Sequence, residues 1–77
     1  MMPFAKAIIE AIVFNLVSEI TRIPRSAVNV HTIIPAEFRS EVIGRVVAAM
    51  NAPLRIQDKS NLTAGQIVEA ATTKSGW

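Results

Sequence analysis

The sequence predicts a small all-α domain, a bundle of three to four helices in a single unit of 77 residues. Three observations carry that prediction. Apolar side chains recur every three to four positions through residues 3–22, the spacing of one helix face. Hydrophobic residues make up 51% of the chain but aromatics only 5%, so Ala, Ile and Val must fill the core, as they do between closely packed helices. Two further helix starts are marked, at Pro35 and at Thr63, each followed by its own apolar stripe.

The length places the chain near the lower limit at which one hydrophobic core holds a domain together. Without cysteine there are neither disulfide staples nor thiolate metal sites. The single histidine, His31, would leave a zinc site to be built mostly from carboxylates, which zinc disfavours. Stability must come from packed apolar residues or from self-association.

The first helix is expected over about residues 3–22, PFAKAIIEAIVFNLVSEITR. Pro3 suits a first helical position, where its missing N–H is not needed. Ile8, Ile12, Leu16 and Ile20 form one row and Ile9, Val13 and Val17 the next, which gives a broad apolar face. Pro24 disfavours helical geometry at Ile23 and ends the helix there. Glu10, Asn15, Ser18 and Glu19 interrupt any stretch long enough to span a bilayer. No small-residue cleavage site follows the apolar run, so the expected location is cytoplasmic.

Residues 23–34, IPRSAVNVHTII, read as an irregular crossing in which Ser26 caps a short turn and Val28, Val30, Ile33 and Ile34 dip into the core. The second helix spans about 35–51: Pro35 and Glu37 mark its start, Phe38, Val42, Val46 and Ala49 or Met50 its stripe, Asn51 and Pro53 its end. Residues 52–62 form a loop anchored by Leu54, Ile56 and Leu62. Thr63 and Gln66 have capping-box spacing, and Leu62 and Ile67 that of a hydrophobic staple, so a helix is expected over about 64–72. Its Ile67, Val68 and Ala71 would pack on the other two, ahead of a frayed tail at 73–77. An extra turn in IPRSAVNV or in the 52–62 loop would make a fourth helix.

Chemistry-bearing patterns are scarce. The three glycines are scattered, so there is no phosphate-cradling loop. His31 has no cysteine and no Ser–Asp arrangement near it in sequence, and no carboxylate pair stands out, so an enzyme is not expected. Arg22, Arg25, Arg39, Arg45 and Arg55 outnumber Glu37 and Glu41 in the middle of the chain, a patch that could meet phosphates or anionic lipids with salt-sensitive affinity. It has no run of adjacent basic residues and, Phe38 apart, no aromatic on which bases could stack, so there is no strong nucleic-acid signal.

Taken together, the order of these pieces resembles the acyl and peptidyl carrier protein family. The likeness lies in the long first helix, the crossing IPRSAVNVHTII, the second helix, the apolar loop LRIQD and the closing LTAGQIVEAA. It covers nearly the whole chain with pieces of low specificity. The resemblance implies a small helical bundle and a serine, in an Asp-Ser-Leu triplet at the start of the second helix, esterified to 4′-phosphopantetheine. That thiol arm hands acyl or aminoacyl groups to partner enzymes in lipid or polyketide biosynthesis. The candidate here is Ser40, with Arg39, Glu41 and Arg45 as the partner surface. The motif is not intact: Arg39 stands in place of the aspartate and Glu41 in place of the leucine. The second helix is also basic where carriers are acidic. The alternative function is a small helical interaction module without a prosthetic group, using its apolar excess to form a homodimer or bind a partner helix.

Overall fold

The computed structural model describes residues 5–56 and 61–75. Three α-helices follow the apolar periodicity: α1 at Lys6–Thr21, α2 at Ala36–Met50 and α3 at Ala64–Ser75. Pro3 and the loop residues 57–60 lie outside the described part. The turn left open in IPRSAVNV exists, as a 3₁₀ turn at Arg25–Ala27. Ser26 sits inside this turn and does not cap it: the N-cap position belongs to Pro24, and no side-chain cap bond forms.

Each helix ends for a local reason. Arg22 stops α1 in the left-handed conformation, φ 68°, with its N–H donating to the Ser18 carbonyl. Asn51 does the same for α2 at φ 54°, and the next N–H, that of Ala52, reaches back to the Val47 carbonyl at 3.3 Å. Asparagine tolerates this conformation better than arginine does. α3 opens on the expected capping box: the Thr63 N–H donates to Gln66 Oε1 at 2.8 Å and the Gln66 N–H to Thr63 Oγ1 at 3.2 Å. It then continues past Thr72, where a frayed tail was expected, to Ser75. The sequence holds no helix breaker before Gly76, and the Thr72 hydroxyl is taken up by the Val68 carbonyl at 2.7 Å.

α1 is the spine of the bundle. It packs equally on α2 and α3, which touch one another less. Of its two apolar rows, Ile9, Val13 and Val17 are fully buried, while Ile12, Leu16 and Ile20 pack at the margin of the core and Ile8 is 51% exposed. Val42, Val46 and Met50 enter the core from α2, and Ala64, Ile67, Val68 and Ala71 from α3. Ala49, an alternative member of the α2 stripe, faces out. Each fully buried Val or Ile contributes on the order of 1.5–3 kcal/mol of transfer free energy. A radius of gyration of 11.4 Å matches the roughly 11.5 Å expected of a folded chain this long.

The crossing segment joins the core by half. Val28 and Ile34 are buried, but Val30 and Ile33, expected inside, are exposed. Backbone pairing explains the difference. The Ile34 N–H donates to the Leu62 carbonyl and the Ala64 N–H to the Thr32 carbonyl, both at 2.8 Å, which makes an isolated antiparallel bridge between Ile33 and Thr63. Extended backbone points successive side chains to opposite sides. With Ile34 turned inward, Ile33 must turn outward.

Candidate functional site

Ser40 lies in the second turn of α2 with its side chain exposed to solvent. The start of that helix is Pro35-Ala36-Glu37: Pro35 is the N-cap, no side-chain cap bond forms, and Glu37 supplies the acidic group that the positive helix end favours. The carrier resemblance implies an esterified serine at this start. Ala36 and its neighbours offer no hydroxyl there. The one hydroxyl in α2 is that of Ser40, a turn further along.

Of the residues grouped with Ser40 in sequence, Glu41 and Arg45 turn toward α1. With Ser18, Glu19 and Arg22 they line a cleft of about 730 Å³ at the α1–α2 seam, whose liners do not include Ser40. Arg45 Nη2 stands 3.9 Å from Glu19 Oε1, and the two side chains are 50% and 67% exposed. Such a pair contributes roughly 0–1 kcal/mol. Arg39 is half-buried at the edge of the helix. One exposed row of α2 is small in profile: Ala36, Ser40, Gly44 and Ala48 recur at four-residue spacing, none with more than one side-chain carbon and a hydroxyl, and a Cβ built on Gly44 meets nothing within 4 Å.

Of the arginines singled out in the sequence, Arg22 and Arg45 share the cleft at the α1–α2 seam, while Arg25 is engaged elsewhere. The Arg25 Nε–H donates to Asn15 Oδ1 at 2.9 Å, and the guanidinium lies 5.3 Å from the centre of the Phe14 ring. Arg25 thus tethers the 3₁₀ turn to the middle of α1, the cation–ring contact alone contributing about 0.5–1 kcal/mol. Arg45 faces Glu19 across the α1–α2 seam.

A second cleft, about 500 Å³, was not legible in the sequence. The first turns of α1, the outer side of α3 and the turn at 29–32 enclose it, bringing Lys6, Glu10, His31 and Glu69 to one rim over Val30 and Val68. His31 reaches the rim because the Asn29 side chain accepts its N–H at 2.8 Å and the Thr32 hydroxyl accepts the Asn29 N–H at 2.9 Å, closing a tight turn. These residues lie on three separated segments, and no spacing rule connects them. Among the described residues no group of three or more His, Cys, Asp or Glu side chains is placed to hold a metal ion. No helix among them is long and apolar enough to cross a membrane.

No family model, curated protein or solved structure matches the chain.

Proposed function

We propose that the chain is a small interaction module with a carrier-like order of elements that works without a prosthetic group, and that a protein partner meets it on the outward face of α2. One observation carries this reading. An exposed row of small residues runs along α2 through Ala36, Ser40, Gly44 and Ala48, while the helix start that would hold a carrier's serine is Pro35-Ala36-Glu37. Small side chains let a partner's backbone come close, and little side-chain entropy is lost when they are covered. The carrier-like architecture rests on the order of α1, crossing turn, α2, apolar loop and Thr63-capped α3.

The test is site-specific photocrosslinking in the cell of origin. A benzophenone amino acid replaces Gly44 in one variant and Ala11, exposed on α1, in a control. The expected result is a discrete adduct from position 44 and none from position 11. The mass of the adduct tells a second copy of this chain from another protein. Absence of any adduct at 44, with the variant shown to be folded, overturns the proposal.

Exposure of Ser40 favours a second reading, in which an arm of 4′-phosphopantetheine is attached there and α2 presents its cargo to partner enzymes. Intact mass after incubation with coenzyme A and a broad-specificity phosphopantetheinyl transferase separates the two. A gain of one phosphopantetheine that maps to Ser40 and vanishes in Ser40→Ala would establish the arm. An unchanged mass leaves the interaction module alone.

A further inference from the structure

We draw no further inference here: the strongest candidate, the cleft between the start of α1, α3 and the 29–32 turn, gathers Lys6, Glu10, His31 and Glu69 on one rim, but nothing in the structure shows what it would hold, because its charges are of both signs and no buried polar group points into it.

Discussion

Gly65 and Val30 are in backbone contact. The Gly65 N–H donates to the Val30 carbonyl at 3.0 Å, and a Cβ placed on Gly65 would stand 2.7 Å from that same oxygen. Gly65 lies in the first turn of α3, where a glycine normally weakens a helix. Here it lets the crossing segment lie flush on the helix start. Together with the two bonds that flank the Ile33–Thr63 bridge, this contact ties residues 30–34 to α3.

The two helical glycines should therefore respond in opposite directions. Gly65→Ala forces backbone against backbone and is expected to cost about 1–3 kcal/mol. Gly44→Ala, which meets nothing within 4 Å, should stabilise by about 1 kcal/mol through helix propensity. Urea melts followed by circular dichroism measure both. A stabilised Gly65→Ala would show that the crossing segment does not press on α3.

Ile8 and Ile9 are adjacent in sequence and opposite in environment, 51% and 0% exposed. Ile9→Ala is expected to destabilise by about 2–5 kcal/mol, and Ile8→Ala to stay within about 0.5 kcal/mol. Equal losses at the two positions would mean that the row facing the core is not Ile9, Val13 and Val17.

The reciprocal bonds between Thr63 and Gln66 predict coupling. Thr63→Ala should cost about 0.5–2 kcal/mol, and Thr63→Ser much less, since the hydroxyl is kept. A double-mutant cycle with Gln66→Ala should be non-additive by at least about 0.5 kcal/mol. Additive losses would show that the two side chains act separately.

Arg22 holds a left-handed conformation at φ 68° that a side chain resists. Arg22→Gly removes that resistance while giving the unfolded chain more freedom, and should stabilise by a net of about 0.5–1 kcal/mol. Thermal unfolding gives the answer as a raised midpoint. A lowered one would mean that the arginine side chain contributes more at the α1–α2 cleft than its backbone strain costs.

Much of the fold was legible because its signals are local. Pro24 and Pro53 bound the helices on either side of the crossing and the loop, the Thr63–Gln66 spacing opens α3, and the i, i+4 rows name the apolar faces. Sequence could not choose between the Ile8 and Ile9 rows of α1, since both satisfy helical periodicity. Nor could it see that Ile33 would be turned outward by pairing with Thr63, a contact across thirty positions of chain.

The candidate site was less legible. The carrier resemblance grouped Ser40 with Arg39, Glu41 and Arg45 as one surface of the second helix. On a helix each successive residue is turned by about 100°, so Ser40 faces outward while Glu41 and Arg45 line the seam with α1.

The sequence by itself determined the all-α class, where α2 begins and ends, the capping box of α3, and the absence of cysteine side chains. All of these depend on residue identity or on groups within a turn of one another. Only the tertiary structure decided which row of α1 is buried, why position 65 must be glycine, and that Lys6, Glu10, His31 and Glu69 share a rim. Those outcomes depend on how separated segments pack, and that is a property of the whole chain closing around one core.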